Sequence, residues 1–327
     1  MAVLVTGAVG FIGFHVCRAL LDRGERVVGI DEVNDYYEVA LKQARLARLG
    51  GNRDFTFHKV DIADRVAMAG VVADHADIDR VVHLAAQAGV RYSLTNPFAY
   101  THANLEGQVV LLEAVRKLPA MRHFVYASSS SVYGANRKLP FAVEDRVDNP
   151  VSLYAATKKA AELLSHAYSH LYRIPQTGLR FFTVYGPWGR PDMAAFIFTR
   201  KILKGEPIPV FNHGDMRRDF TYIDDIVEGI LACLDRPPAD GGADNPPYAI
   251  YNLGNHRSEP LMRFIGLIEQ ALGKKAVVEL LPMQEGDVKE TFADIADSTR
   301  DFGFKPRVPI DAGIPLFISW YREYYSV

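Results

Sequence analysis

The sequence has few of the features that mark secreted and membrane-bound proteins. It contains only two cysteines, Cys17 and Cys233, in 327 residues. Each lies within an apolar helical pattern, so we expect buried free thiols in a reducing compartment rather than a disulfide. No apolar run approaches the ~20 residues of a membrane span, and no basic region with a cleavage site stands at the N-terminus. We therefore expect a cytoplasmic protein with no membrane partner.

An excess of charge of one sign is also lacking. The chain carries 37 basic and 39 acidic residues, a net charge of -2, which argues against a nucleic-acid partner. Its ten histidines show no metal-ligand spacing, so we expect no metal site. A content of 49% hydrophobic and 23% charged residues is that of an ordinary globular protein. Any bound anion must therefore be held by a local arrangement of residues.

The first thirty residues predict a dinucleotide-binding unit. An apolar strand (2–6) leads into a turn that contains Gly7, Gly10 and Gly13, then a helix and a second apolar strand that ends at Asp31. The glycines permit a tight turn and a close approach of the backbone to a pyrophosphate at the helix N-terminus. A carboxylate at Asp31 would accept the ribose hydroxyls and repel a ribose phosphate, which favours NAD over NADP. The alternative is a purely structural glycine turn.

The alternation of strands and helices continues to about residue 182 and predicts a doubly wound parallel α/β sheet of the Rossmann type. We expect strands near 55–60, 80–86, 123–127 and 176–182, and one helix from about 97 to 117. Ligands of such sheets bind beyond the carboxyl ends of the strands. After residue 180 the pattern changes to shorter elements. We therefore predict an NAD-binding domain over 1–180 and a smaller, mostly helical substrate lobe over 181–327, interleaved with the first.

A tyrosine and a lysine four residues apart, Tyr154 and Lys158, share one face of a predicted helix. A free tyrosine has a pKa near ~10, so its use as a base near neutrality needs a shift of about three units, or roughly 4 kcal/mol. A neighbouring lysine cation supplies part of that shift. Alone, the pattern is more often an ordinary amphipathic helix face. Ser129, 25 residues earlier at the end of a predicted strand, makes a reactive site the better interpretation.

The glycine turn, the segment His83-Leu-Ala-Ala86, Ser129 and the Tyr154/Lys158 pair occur in the order found in the extended short-chain dehydrogenase/reductases. The chain resembles that family over essentially its whole length. The resemblance implies that Tyr154 is the acid/base and that Ser129 hydrogen-bonds the reacting oxygen. It implies that Lys158 binds the nicotinamide ribose and lowers the pKa of the tyrosine, and that Asn104 helps to fix the central helix. It further implies NAD contacts from Phe11, Ile12, Asp61, Ile62, Leu84, Ala85, Ala86 and Gln87.

The serine turn bears on the reaction. Sugar-nucleotide dehydratases and decarboxylases of the family carry a carboxylic acid where this chain has Ser130 and Ser131. Without that acid, reversible oxidation at carbon 4 remains as the simplest chemistry. Segments 85–92, 183–193 and 214–222 resemble the UDP-glucuronic acid 4-epimerases in particular. That resemblance implies an isomerase that turns a 4-keto intermediate over and returns the hydride to its other face.

The same resemblance implies the substrate contacts. A uronic acid carries a carboxylate that a guanidinium can grip bidentately, and Arg190 is the candidate, although a loop arginine in a solvent salt bridge is the alternative. Thr183 and Ser131 would help to hold the carboxylate, and Arg218 would bind the diphosphate. Further implied UDP-sugar contacts are Val90, Ser129, Ser130, Tyr154, Val210, Phe211, Gln284 and Asp287. Helices near 97–117 and 152–172 resemble the helices of the family's dimer, so a homodimer is expected.

Three other functions stay open on the sequence. A neutral UDP-sugar 4-epimerase and a UDP-glucuronate decarboxylase would use the same fold and the same base. A non-catalytic NAD-sensing protein would use only the fold. The presence of Ser129, Tyr154 and Lys158 together counts against the sensor, because a sensor needs no acid/base group.

Overall fold

Strands and helices alternate through the first half of the protein. The computed structural model describes residues 1–284 and 286–327. A π-helical turn, His102–Glu106, separates two of the helices, and a 3-10 turn, Ser130–Tyr133, follows the fifth strand. The elements of this half are β1 (Ala2–Thr6), α1 (Phe11–Asp22), β2 (Arg26–Asp31), α2 (Val39–Leu49), β3 (Phe55–Lys59), α3 (Arg65–Asp74), β4 (Ile78–His83), α4 (Tyr92–Thr95), α5 (Pro97–Thr101), α6 (Gly107–Val115), β5 (His123–Ser129), α7 (Leu153–Tyr172) and β6 (Gln176–Phe181).

Shorter elements make up the second half. They are β7 (Thr183–Tyr185), α8 (Ala194–Lys204), β8 (Ile208–Val210), β9 (Arg217–Arg218), β10 (Phe220–Tyr222), α9 (Ile223–Leu234), β11 (Tyr248–Leu253), β12 (Glu259–Pro260), α10 (Leu261–Leu272), β13 (Val278–Leu280), α11 (Ala296–Phe302) and α12 (Ile310–Tyr325). Three small strand pairs, β7 with β10, β9 with β12 and β8 with β13, join these elements.

A seven-stranded sheet in the order β11-β6-β5-β4-β1-β2-β3 forms the centre of the molecule. All its neighbouring strands are parallel. Every residue of β1 is buried, which is the pattern of a strand covered by helices on both faces. The predicted doubly wound α/β fold is confirmed. Because β1 lies between β2 and β4, the strand order reverses there, and a crevice opens beyond the carboxyl ends of β1 and β4.

The second half of the chain is built into the first. Strand β11 pairs with β6 along its whole length and so completes the central sheet. Helix α9 packs against α1, and one hydrophobic core runs from Val5 and Phe14 in the first half to Phe196 and Phe317 in the second. The division at residue 180 stays a prediction, since the sheet itself takes a strand from beyond that point.

The helix predicted over 97–117 is interrupted. It consists of α5, the π-helical turn and α6, which begins at Gly107. Asn104 lies within the π-helical turn, and its buried amide accepts from the Gln87 N–H (2.8 Å) and donates to the Gln87 carbonyl and the Thr157 hydroxyl (both 3.0 Å). The apolar periodicity of the segment does not predict this turn, which places the Asn104 amide among its buried hydrogen-bond partners. Within the described residues no helix has the length and apolarity to cross a membrane.

Candidate active site

The glycine turn after β1 has no room for side chains. Gly7 has a φ of +70°, and a Cβ on Gly13 would lie 2.0 Å from the Gly7 carbonyl oxygen. Helix α1 starts directly after Gly10, and no side chain of the described residues caps its N-terminus. The first backbone N–H groups of α1 are thus available to an anion, which is the arrangement that binds a pyrophosphate.

Two carboxylates stand at the ends of the neighbouring strands. Asp31 accepts hydrogen bonds from the backbone N–H groups of Val9 (3.2 Å) and Val33 (2.8 Å), and burial raises its pKa. Asp61 accepts from the Ala63 N–H (2.9 Å) and lies 2.7 Å from Nε2 of His102. Both carboxylates line the same cleft as the glycine turn. These residues fit an adenine dinucleotide whose ribose faces Asp31.

One cleft brings together most of the residues predicted from the sequence. Of the cofactor set, it is lined by Gly7, Gly10, Phe11, Ile12, Gly13, Asp31, Asp61, Ile62, Leu84, Ala85, Ala86, Gln87 and Lys158. Of the substrate set, it is lined by Val90, Ser129, Ser130, Ser131, Tyr154, Thr183, Arg190, Arg218 and Asp287. Four predicted residues, Asn104, Val210, Phe211 and Gln284, are not among the lining residues. Asn104 supports the cleft from behind through its hydrogen bonds to Gln87.

Tyr154 and Ser129 meet at the middle of this cleft. Helix α7 begins at Leu153, and the Ser152 side chain caps it by accepting from the Ala155 N–H (3.1 Å). Tyr154 is therefore in the first turn of the helix, and Lys158 follows one turn later. Burial raises the pKa of Tyr154, while the Ser129 hydroxyl and the positive charge of Arg190 act in the opposite direction. The Ser129 oxygen also accepts from the hydroxyl (3.0 Å) and the N–H (3.2 Å) of Ser131.

The Lys158 ammonium is held by the sheet. Its Nζ donates to the Ala127 carbonyl at 3.0 Å, and burial lowers its pKa to about 8. Among the described residues there is no hydrogen bond between Lys158 and Tyr154. Its predicted effect on the pKa of Tyr154 therefore stays a prediction, and its position beside β5 is suited to a ribose hydroxyl of the cofactor.

Arg190 lines the cleft but already has a partner. Its Nε and Nη2 donate to the two carboxylate oxygens of Asp192 at 3.0 and 2.5 Å. The Tyr36 hydroxyl donates to the same carboxylate at 3.1 Å. Burial alone would raise the pKa of Asp192, but the Arg190 guanidinium outweighs it and holds that pKa below its usual range. Asp192 therefore occupies the Nε–Nη2 edge of the guanidinium, and the bidentate grip on a substrate carboxylate stays a prediction.

The far end of the cleft carries a second arginine. Arg218 donates from Nη2 to Asp287 at 2.6 Å, and the Arg91 guanidinium lies 4.8 Å from the centre of the Phe211 ring. The neighbouring Arg217 is directed elsewhere, towards Ser258 and Glu290. Arg218 is thus the cation of this pair that can meet a diphosphate.

Two contacts predicted at this end, from Val210 and Gln284, stay predictions. The Val210 side chain is fully buried in the core, and its carbonyl accepts from the Leu281 N–H at 2.9 Å. The Gln284 side-chain oxygen is buried and has no hydrogen-bond partner among the described residues.

Three residues that line the cleft were not predicted from the sequence: Tyr36, Lys42 and His102. Asp192 and Arg91 were not predicted either, and they contact Tyr36 and Phe211. Lys42 is buried, and its Nζ donates to Asn34 in the loop that follows Asp31. Tyr36 and Asp192 are 156 residues apart, so no local pattern could join them. The only sequence feature that could have indicated Asp192 is its position two residues after Arg190.

Comparisons with known proteins agree with this geometry. Residues 3–254 match the family model described as the NAD dependent epimerase/dehydratase family. The chain is 46% identical to a probable UDP-glucuronate 4-epimerase of Rhizobium meliloti (strain 1021), covering 99% of this chain and 98% of that protein. It is 48% identical to UDP-glucuronate 4-epimerase 4 of Arabidopsis thaliana, covering 100% of this chain and 76% of that protein.

A solved structure is similar over the whole chain. It is that of the UDP-glucuronic acid 4-epimerase from Bacillus cereus in complex with UDP-glucuronic acid and NAD. The TM-score is 0.90 at 34% sequence identity, and the match covers 99% of this chain and 100% of that one. Since the glycine turn, the strand-end carboxylates and the Tyr154 helix all lie within the matched residues, we conclude that the chain belongs to the NAD dependent epimerase/dehydratase family.

Proposed function

We propose that the protein interconverts UDP-glucuronic acid and UDP-galacturonic acid by epimerisation at carbon 4, with NAD as its resident cofactor. The observation that carries the proposal is that one cleft is lined by all the parts that the reaction needs. Its lining includes the glycine turn at Gly7–Gly13, then Ser129 and Tyr154, and then Thr183 and Arg190. Relatives of 46% and 48% identity named as UDP-glucuronate 4-epimerases support the choice of sugar.

Tyr154 is the acid/base in this proposal. Its phenolate takes the proton of the sugar 4-hydroxyl, and Ser129 donates a hydrogen bond to the same oxygen as it becomes a ketone. NAD, when bound, supplies reversible acceptance of the hydride from carbon 4. The 4-keto sugar then turns over in the cleft, and Tyr154 returns the proton when the other face has been reduced. The charge of Arg190 lowers the pKa of Tyr154 and so favours the phenolate that the first step needs.

The serine turn separates this reaction from its neighbours. Ser129, Ser130 and Ser131 present hydroxyls to the cleft, and the turn contains no carboxylic acid that could assist elimination. The sugar carboxylate is beta to the ketone in the intermediate, and it leaves only when the breaking bond is perpendicular to the carbonyl plane. Contacts from Thr183, Ser131 and Arg190 that hold another orientation suppress that loss. Arg218 would neutralise part of the diphosphate charge.

The test is an incubation of the purified protein with UDP-glucuronate, followed by separation of the nucleotide sugars. UDP-galacturonate as the main product, with no pentose, supports the proposal. UDP-pentose with carbon dioxide would assign a decarboxylase, and turnover of UDP-glucose alone would assign a neutral-sugar epimerase. Bound NAD without turnover of any of these nucleotide sugars would support the non-catalytic NAD-sensing protein instead.

A homodimer is also part of the proposal. Leu94 and Phe98, on α4 and α5, are 56% and 81% exposed, and both helices pack against α7. On α7 itself, Leu163 and Leu171 are 60% and 65% exposed. An apolar surface of this kind on adjacent helices fits a second copy of the same chain. Sedimentation of the wild type as a dimer and of Phe98→Glu as a monomer would support it, and a monomeric wild type would refute it.

We also propose that residues 1–180 hold the cofactor and that 181–327 supply most substrate contacts, with β11 shared between them. A cytoplasmic location is proposed because Cys17 and Cys233 are free and buried, as expected in a reducing compartment. Cell fractionation tests the location, and recovery from a secreted fraction would contradict it.

A further inference from the structure

Asp192 is a carboxylate that already occupies one edge of the guanidinium expected to bind the substrate carboxylate. It forms a two-point ion pair with Nε and Nη2 of Arg190, at 3.0 and 2.5 Å. This is the fork geometry in which arginine binds carboxylates most strongly. The remaining nitrogen, Nη1, has no hydrogen-bond partner among the described residues, and the arginine lines the cleft. Arg190 therefore offers the substrate one further donor group, and Asp192 offsets part of its charge.

The position of Asp192 is fixed by parts of the chain that are far apart in sequence. The Tyr36 hydroxyl, from the loop after β2, donates to it at 3.1 Å. A Cβ on Gly89, where φ is +99°, would lie 2.9 Å from the Tyr36 hydroxyl oxygen and 3.7 Å from the Asp192 carboxylate. The Tyr100 hydroxyl donates to the Gly89 carbonyl, and its ring packs edge-on against Tyr154 at 6.0 Å. The ion pair is thus packed against the wall that also holds the catalytic tyrosine.

We propose that Asp192 sets the strength with which Arg190 grips the sugar carboxylate, so that the 4-keto intermediate can be released, turned and held again. The proposal rests on the function proposed above. An unpaired guanidinium would bind the carboxylate at two points in the substrate and in the intermediate alike. Binding that is equal in both states lowers KM without raising kcat, and it resists the turn that epimerisation requires. Asp192 acts through Arg190 and is a positioning residue for specificity.

The test compares two nucleotide sugars on two proteins. UDP-xylose is the same ligand as UDP-glucuronate without the carboxylate, so the ratio of their dissociation constants measures the grip. In the wild type we expect UDP-glucuronate to bind no more than about tenfold tighter, the factor that 1.4 kcal/mol produces. In Asp192→Asn, which is isosteric but uncharged, we expect that ratio to rise about tenfold. Titration calorimetry on the NAD-loaded proteins gives all four constants.

Kinetics supply a second readout. For Asp192→Asn we expect a lower KM for UDP-glucuronate together with a lower kcat, because the substrate is held tighter and the intermediate turns more slowly. Bound NADH should then absorb more strongly at steady state. A purely structural role would lower kcat and raise KM or leave it unchanged. Asp192→Ser removes the same charge and should shift the ratio in the same direction.

The matched control is Asp148→Asn. Asp148 pairs with Arg146 at the same two-residue spacing (2.8 Å), but on an exposed loop outside the cleft. Its replacement should therefore change neither the ratio of the two dissociation constants nor the KM and kcat for UDP-glucuronate. If the wild type epimerises UDP-glucuronate and Asp192→Asn keeps the wild-type ratio, the Asp192 inference is overturned while the proposed function stands. A wild-type ratio of about a thousandfold would also overturn it, since that is the grip of an unpaired arginine. A wild type that yields no UDP-galacturonate refutes the proposed function instead.

Discussion

Replacing Arg180 by methionine should destabilise the protein strongly, because it would remove the two-point partner of a buried carboxylate and leave only the Lys159 ammonium at 3.3 Å. Arg180 on β6 donates to both oxygens of Glu162 on α7, at 2.8 and 2.9 Å. The two side chains are only 2% and 1% exposed. The Ser128 hydroxyl, next to Ser129 on β5, donates to the same carboxylate at 2.7 Å. The ion pair therefore fastens α7, which carries Tyr154, to β6, and the Ser128 hydrogen bond joins α7 to β5, which carries Ser129.

The expected loss is about 3–5 kcal/mol, the cost of removing one partner of a buried ion pair. Unfolding entropy scales with chain length, and for 327 residues it is roughly 0.7 kcal/mol per kelvin. The Tm should therefore fall by about 4–7 °C. Although burial raises the pKa of Glu162, the Arg180 guanidinium and the Ser128 hydroxyl hold it below its usual range. The pair thus stabilises the protein above the ordinary glutamate pKa, and this contribution is lost as pH falls through the lowered one.

Calorimetric scans of the wild type and Arg180→Met at neutral and acid pH measure both effects. The difference in Tm should begin to narrow as pH falls below the ordinary glutamate pKa of ~4.3, and narrow further as the folded carboxyl is protonated at its lowered pKa. The double variant Glu162→Leu/Arg180→Met should recover more than half of the loss, because no buried charge is left. Arg146→Met, which breaks an exposed pair, serves as the control and should change Tm by less than about 1 °C. A Tm for Arg180→Met within about 2 °C of the wild type would refute the reasoning, because loss of an exposed pair could account for a change of that size.

Three further outcomes are expected at the site. Tyr154→Phe should bind NAD and UDP-glucuronate normally but lose at least about a hundredfold in kcat, because it lacks the acid/base group. A smaller loss of kcat, measured by stopped-flow kinetics, would contradict the role of Tyr154. Arg190→Ala removes a charge that lowers the pKa of Tyr154, so the acid limb of kcat/KM should move to higher pH, and an unmoved limb would exclude that coupling. The same variant should release more carbon dioxide and UDP-pentose per turnover than the wild type. Unchanged epimerisation without extra carbon dioxide would show that Arg190 does not orient the sugar carboxylate.

Local spacing explains why much of the site could be predicted. The roles of Gly7, Gly10 and Gly13 could be predicted because each glycine meets a steric requirement that arises within a few residues of the chain. Tyr154 and Lys158 share a helix face by their four-residue spacing, and Asp31 and Ser129 stand at strand ends that the apolar pattern marks. Parallel strands then bring those ends together, so the sequence predicts a common cleft.

What could not be predicted depends on contacts between distant segments. The Tyr36–Asp192–Arg190 arrangement joins two loops, one before α2 and one before α8, and no pattern within either loop predicts that Tyr36 contacts Asp192. Arg45 is likewise fully buried, where it donates to the carbonyls of Val9 and Trp188, a position that a charged residue in a helical pattern does not suggest. Strand β11 reads as a strand, but its apolar pattern does not say that it pairs with β6.

The central claim is that the hydride removed from carbon 4 returns to carbon 4 of the same sugar. UDP-glucuronate carrying deuterium at carbon 4 tests it directly, with the product sugars analysed by NMR and mass spectrometry in ordinary water. The account predicts UDP-galacturonate that retains the deuterium at carbon 4 throughout the approach to equilibrium. Loss of the label to solvent during epimerisation would contradict it.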